Sequence, residues 1–151
     1  MIKPEPPLVM TKPDKLIVDF ITNQTVVTIA TSVDDDPYCA TCFFAYNEEH
    51  TTLVFKSSED TEHIKQGLIN SSVAGSVLPD KLLTGKVKGL QFKGILGSAS
   101  TSVLIDLKKT YYKKYPFALA MGGEVWIIDL TWIKYTDNTL GFGKKIEWEK
   151  A

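Results

Sequence analysis

The chain contains no arginine; all 17 of its basic residues are lysine. Arginine is the usual bidentate clamp for phosphate, whereas lysine acts as a point charge. Any anion site must therefore lean on lysine, hydroxyls and backbone N–H groups. A charge excess of either sign is also missing. With 17 basic and 18 acidic side chains the net charge is −1, which gives no electrostatic basis for gripping nucleic acid or an anionic membrane surface. No apolar run approaches the ~18 residues that a membrane span needs. The opening stretch MIKPEPPLVM has prolines and a glutamate where a secretory signal would have a long apolar segment. It reads as an extended arm over 1–11, followed by one domain over 12–151. The chain is expected to be cytoplasmic, with its cysteines reduced.

Cysteine and histidine are scarce, with two of each. Cys39 and Cys42 have the spacing of a zinc or redox pair. They fall inside 38–46, however, which reads as a strand, and residues three apart on a strand face opposite sides. Cys39 then shares a face with Thr41 and Phe43, and Cys42 with Ala40 and Phe44. There is no second cysteine pair, and His50 and His63 are the only histidines. The expectation is two buried strand thiols and no metal site.

What is present is core material: 44% of residues are apolar and 11% aromatic, too much for a disordered chain. A helix is expected over 13–24, where Leu16, Ile17, Phe20 and Ile21 form one apolar face. Strands follow at 25–33, 38–46 and 51–57, joined by the turns DDDP and NEEH, which implies an antiparallel meander. A helix over 58–70 has Ser58, Asp60 or Thr61 as its cap. Further strands are read at 71–78 and 90–100, the second with interior glycines that suggest a bulge or barrel bend. Then come a helix over 102–115 stopped by Pro116, a short helix over 117–121, a strand over 124–136 with a break near Leu130, and a tail strand over 145–148. Strands in runs, about six or seven with three connecting helices, argue for an α+β, mainly β chain built on a small antiparallel barrel.

Three clusters carry candidate chemistry. In FKSSEDTEH (55–63), Lys56, Ser57, Ser58 and Thr61 precede a helix whose free N–H groups favour an anion. Glu59, Asp60 and Glu62 argue instead for an ordinary capped helix start. His63 either joins a phosphate or stands on a helix face. In VKGLQFKG (87–94), Gln91 and Lys93 share a strand face; they suit the rim of a polar ring system, or simply an outward polar face. In KYTDNTLGFGKK (134–145), glycines around Phe142 give room and lysines give charge. That segment is either a wall over a flat ligand or a turn capping the barrel. No nucleophile elbow, HExxH or Walker loop occurs, so the reactivity of an enzyme here would belong to a bound cofactor.

GLQFKG (89–94), KYP (114–116) and above all KYTDNTLGFGKK resemble the FMN-binding split barrels related to pyridoxamine 5'-phosphate oxidase. The nearer likeness is to a small uncharacterised bacterial family within that group. The resemblance spans nearly the whole chain beyond the arm. It implies a split β-barrel, a homodimer and FMN in a cleft between two copies. It implies that Lys56, Ser57, Ser58, Thr61 and His63 lie near the ribityl phosphate, Gln91 and Lys93 near the flavin ring, and Asn138 and Lys144 near the closing flavin contacts. Related barrels also take F420 or haem. The oxidases hold phosphates with arginines and end in an Arg-rich signature; this chain has LGFGKK there, so pyridoxamine-phosphate oxidation itself is not expected. Three functions stay open: a flavin-dependent oxidoreductase acting on a small molecule, a non-catalytic binder or sensor, and a dimer without cofactor.

Overall fold

The structure is a computed structural model that describes residues 12–98, 101–140 and 144–151. The expected arm (1–11) and the tip Gly141–Phe142–Gly143 lie outside the described residues. Helix α1 (Lys15–Thr22) starts later than the apolar pattern predicts, because the Asp14 carboxylate caps it by accepting from the Leu16 N–H at 2.8 Å. Strands β1 (Val26–Val33), β2 (Asp36–Asn47) and β3 (Thr52–Ser57) form the expected meander. The β1–β2 hairpin turns through Asp34 and Asp35, both at positive φ (51° and 65°). That is the two-residue geometry whose twist matches the flanking strands, and Asp tolerates it. Helix α2 (Glu62–Ile69), strands β4 (Ser72–Val77) and β5 (Lys88–Gly97), helix α3 (Thr101–Lys114), a 3-10 helix (Pro116–Ala120), strand β6 (Glu124–Asp137) and strand β7 (Lys145–Glu149) complete the order.

All seven strands are antiparallel in one sheet, ordered β3-β2-β1-β4-β5-β6-β7, with β3 also paired to β6. That extra pairing closes six strands into a barrel and leaves β7 as a flap, so the sheet is a split barrel. The length of β6 allows this. Its first half, Glu124–Asp129, pairs with β3, and its second half, Trp132–Thr136, pairs with β7. The strand does not break near Leu130. Lys93 pairs with Trp132 and Gly94 with Leu130, so Thr131 is an extra residue, a β-bulge that turns the strand from one partner to the other. Gly94 is required there, since a Cβ would stand 2.6 Å from Ile128 Cγ2 and 2.7 Å from the Asp129 carbonyl.

The inward faces of the strands form the main core, around Phe44, Phe55, Phe92, Ile128 and Leu130, all buried. Helix α1 closes the barrel end where β1 begins, with Phe20 5.1 Å from Tyr135. Helix α2 closes the other end, with Gly67 packed on Leu96 and the Thr31 hydroxyl donating to Gln66 Oε1 at 2.7 Å. Helix α3 covers the outer face of β2 and β3 through Leu107 and Tyr111, which with Tyr115 just beyond the helix pack on Ala45 and Val54. That cover is why both faces of Phe44–Asn47 and Thr52–Phe55 are buried.

Among the described residues, the outer face of the remaining strands has no such cover. Cross-strand pairs run Phe43–Val26, then Thr41–Thr28–Ser76–Gln91–Lys134, then Cys39–Ala30–Ala74–Lys93–Trp132. This surface carries many small and hydroxyl side chains and is dotted with exposed Val26, Phe43 and Ile95. It also corrects one expectation. Cys39 lies with Thr41 and Phe43 as its spacing requires, but their shared face is the uncovered one, so Cys39 is exposed; Cys42, facing inward, is half-buried.

Candidate functional site

The end of β3 and the start of α2 form a corner into which several elements send side chains. Ser57 is the last residue of β3, and its Oγ lies 2.8 Å from Nε2 of His63 on the first turn of α2. Cys42, from the inward face of β2, brings its Sγ to 3.7 Å from the same nitrogen and 3.8 Å from Ser57 Oγ. His63 is buried, and that burial lowers its pKa from 6.5, which keeps the ring neutral. Burial likewise pushes the Cys42 thiol up, so it is protonated rather than a thiolate. The three groups form a closed polar cluster behind the corner.

In front of it stands Lys56. Its ammonium donates to the carbonyls of Ala118 and Met121, each at 2.7 Å, and lies over the Tyr112 ring at 5.3 Å. This ties the 3-10 helix to β3. The KYP motif does the same from the other side. Lys114 donates to the carbonyls of Gln24 and Phe44, and the Tyr115 hydroxyl to Phe44 O at 2.6 Å and Thr25 O at 3.0 Å. The result is an aromatic wall in which Phe43 stacks 5.7 Å from Tyr115 and Tyr115 lies 6.1 Å from Phe117. Between Phe43, Lys56, Tyr111, Phe117, Ala118, Met121 and Gly122 lies a cleft of about 120 Å³. Phe43 and Phe117 are 50% and 58% exposed, large for aromatic side chains beside a cleft. Gly123, at φ 102°, makes the turn from the wall into β6; a Cβ there would crowd the Ser57 backbone at 3.3 Å.

The start of α2 completes the corner. Thr61 is the cap residue but does not cap. Its hydroxyl turns back to the Ser58 carbonyl at 2.8 Å, so among the described residues no side chain satisfies the helix's first N–H groups. Ser58, Glu59, Asp60 and Glu62 are exposed around them.

The other expected residues stand elsewhere. Gln91 and Lys93 share the uncovered sheet face, as their spacing requires, with Lys93 over Trp132 at 5.5 Å. Asn138 grips the β4–β5 loop: its Oδ1 accepts from Val87 N–H at 3.0 Å and its own N–H donates to Val87 O at 2.9 Å. Asp137 beside it is buried. Burial alone would raise its pKa, but the Thr139 hydroxyl and N–H, the Tyr135 hydroxyl and Lys88 more than offset this and hold it low. Lys144 is exposed, and its carbonyl accepts from the Asp137 N–H at 3.4 Å. The Lys56–His63 group adjoins the start of β6, through the Ser57–Glu124 pair, and the Asn138–Lys144 group follows its end. With 14 residues at roughly 3.3 Å each, that is on the order of 40 Å of strand. Within one chain the two groups do not meet.

The wall residues Phe43, Tyr111, Phe117 and Met121, and the partners Cys42 and His63, were not visible as one cluster in the sequence. KYP was the signal: a lysine and a tyrosine just before a helix-stopping proline, in a chain whose strand carbonyls need donors.

The antiparallel split barrel is a fold shared with solved pyridoxamine 5'-phosphate oxidase-like proteins. Solved structures agree on the fold. A haem-binding protein from Mycobacterium smegmatis superposes with a TM-score of 0.72 at 12% identity, over 86% of this chain and 55% of that one. An FAD-binding protein from Mesorhizobium loti superposes with a TM-score of 0.65 at 16% identity, over 82% of this chain and 94% of that one. No protein-family model matches the chain. A UPF0306 protein of Photorhabdus laumondii is 32% identical over 136 residues, which covers 90% of this chain and 95% of that protein. One from Yersinia pseudotuberculosis is 32% identical over 144 residues, covering 94% and 98%. The chain belongs to the UPF0306 family.

Proposed function

We propose that the chain is a homodimeric cofactor-binding protein that holds FMN in two seams between its copies and uses it to oxidise or reduce a small molecule. The observation that carries the reading is the corner itself. Its aromatic strip, Phe43 to Phe117, is exposed and runs onto the bare sheet face, yet the cleft within one chain is about 120 Å³, below the ~300 Å³ where cofactor pockets begin. A second copy laid on the bare face would supply the missing wall and cover Val26, Phe43 and Ile95. The strand separation points the same way, since Asn138 and Lys144 reach a corner only if it is a partner's.

The residues present suit a planar ring better than a phosphate dianion. Lys56 is already held by two carbonyls and Ser57 by His63. The phosphate therefore falls to the uncapped N–H groups of α2 and to Ser58, a site without arginine and thus sensitive to salt. When bound, the flavin supplies the redox chemistry. The chain's part is to stack the ring on the wall, exclude water, and offer Gln91 and Lys93 of the neighbouring sheet face to the ring's polar edge. The neutral His63–Ser57–Cys42 cluster keeps the back of the corner closed.

A second reading, a haem binder or a non-catalytic carrier, is favoured by Glu59, Asp60 and Glu62, whose charges repel a phosphate at the start of α2. The M. smegmatis neighbour described as haem-binding supports it. One experiment separates the readings. Untagged protein is purified, its mass in solution measured by light scattering, and its visible spectrum recorded before and after adding FMN or haem. A dimer carrying one releasable flavin per chain, bleached by a nicotinamide donor, supports the oxidoreductase. A Soret band supports the haem reading, and flavin without turnover the carrier. A colourless monomer that takes up neither cofactor overturns both.

A further inference from the structure

We propose a divalent transition-metal site at the opposite end of β3, made by Glu49, His50 and Asp106. Glu49 and His50 lie on the turn between β2 and β3, and Asp106 lies in the first half of α3. One ligand atom from each, a carboxylate oxygen or an imidazole nitrogen, stands within 4.8 Å of the others. The turn is braced against the helix by a separate contact, Asn47 Nδ2 to the Thr110 hydroxyl at 2.9 Å, one helical turn beyond Asp106. The three ligands are thus offered by two elements already locked together.

Two observations make this more than a meeting of surface charges. His50 Nε2 is buried and has no hydrogen-bond partner among the described residues, an uncommon and costly state for a ring nitrogen. No lysine or histidine forms an ion pair with Glu49 or Asp106 among the described residues. Among the described residues, then, the two carboxylates converge without an ion pair; the Lys12 ammonium at this turn donates to the Glu48 and Glu49 carbonyls instead. A bound cation would give the two carboxylates and the imidazole a shared partner. Ligands around a zinc-sized ion lie roughly 3–4 Å apart, so the two exposed carboxylates need close by only about 1 Å. One imidazole with two carboxylates selects a borderline first-row ion such as Zn²⁺, Mn²⁺ or Co²⁺ over Ca²⁺ or Mg²⁺, whose ligands are oxygens. Water would fill the remaining positions. The site is separated from the aromatic corner by the length of β3 and lies beside α3, away from the bare sheet face. Its effect is to staple the β2–β3 turn to α3, the helix that carries Tyr111 and leads into Tyr115.

The test is titration of chelator-treated, untagged protein with Zn²⁺ and, separately, with Co²⁺, followed by calorimetry and by the visible bands of protein-bound cobalt. One ion per chain is expected. His50→Gln and Asp106→Asn should each weaken binding by at least about tenfold, and Zn²⁺ should raise the melting temperature of the wild type but not of His50→Gln. His63→Gln, at the Cys42 cluster, should bind as the wild type does. Absence of a saturable site in folded wild-type protein overturns the proposal. So does binding that survives both ligand substitutions, or binding that is lost with His63 instead.

Discussion

Replacing Lys56 by methionine keeps the apolar stem and removes the ammonium that joins β3 to the Ala118 and Met121 carbonyls. A hydrogen bond to a charged group is worth about 1.5–3 kcal/mol net. The two bonds do not sum to twice that. Ala118 O keeps a second donor, the Met121 N–H at 3.2 Å, and Met121 is exposed, so its carbonyl regains water. Lys56 is itself only half-buried, so solvent screens part of the charge. The expected cost is therefore that of one such bond, about 2 kcal/mol, or a fall in melting temperature of roughly 4–8 °C for a chain of this length. Urea unfolding at fixed protein concentration measures the loss, and hydrogen exchange locates it. Amides of 117–121 should exchange faster while those of the barrel strands do not. The same variant tests the role of Lys56 at the proposed cofactor site. If the ammonium acts through the wall, FMN and riboflavin lose affinity by equal factors. A loss confined to FMN would show that Lys56 holds the phosphate. An unchanged urea midpoint with unchanged exchange at 117–121 would refute the clamp.

Other outcomes follow from the packing. Gly75→Ala would place a Cβ 2.2 Å from the Thr28 carbonyl and 2.4 Å from Phe92 Cζ, and should cost at least about 2 kcal/mol in a urea melt. Gly97→Ala meets nothing within 4 Å among the described residues and should be neutral or stabilising by up to about 0.5 kcal/mol; equal effects of the two would undo the steric argument. Ile128→Ala empties a fully buried site in the barrel, with an expected loss of about 2–5 kcal/mol by the same measurement. His63 supplies a pH dependence. Its folded pKa lies below 6.5, so below that pH the unfolded chain binds more protons and stability falls as pH drops from 6.5 through the folded value. His63→Gln should flatten that part of the stability–pH curve; a wild-type slope in the variant would point to another group.

Much of the fold was legible because it is written in local patterns. β-Branched residues over 25–33 and the short turns DDDP and NEEH marked three strands, and the run DDD supplied residues that accept the positive φ of a tight hairpin. The interior glycines of β5 marked the bend, and Gly94 is where a side chain would meet the Asp129 backbone. The site was less legible. Lys56, Ser57 and His63 were marked as a group and do stand at one corner, but their hydrogen bonds run to Ala118, Met121 and each other. Gln91 and Lys93 were rightly paired on one face. Asn138 grips a loop whose nearness no local pattern expresses. Glu49, His50 and Asp106 gave no signal, since their residues come from a turn and a helix remote in the chain.

By itself, then, the sequence determined which residues share a face, where the chain must turn, and that six or seven strands would form an antiparallel barrel. Side-chain alternation and backbone sterics act over a few residues and need no distant partner. Only the tertiary structure decided which face is covered: helix α3 lies over β2 and β3 and, among the described residues, nothing covers the outer face of the other strands, so Cys39 is exposed while Val54 is buried. It also decided that β6 serves β3 and β7 in turn. Those outcomes depend on which remote segments bury most apolar surface against one another, and that is a property of the whole packed chain.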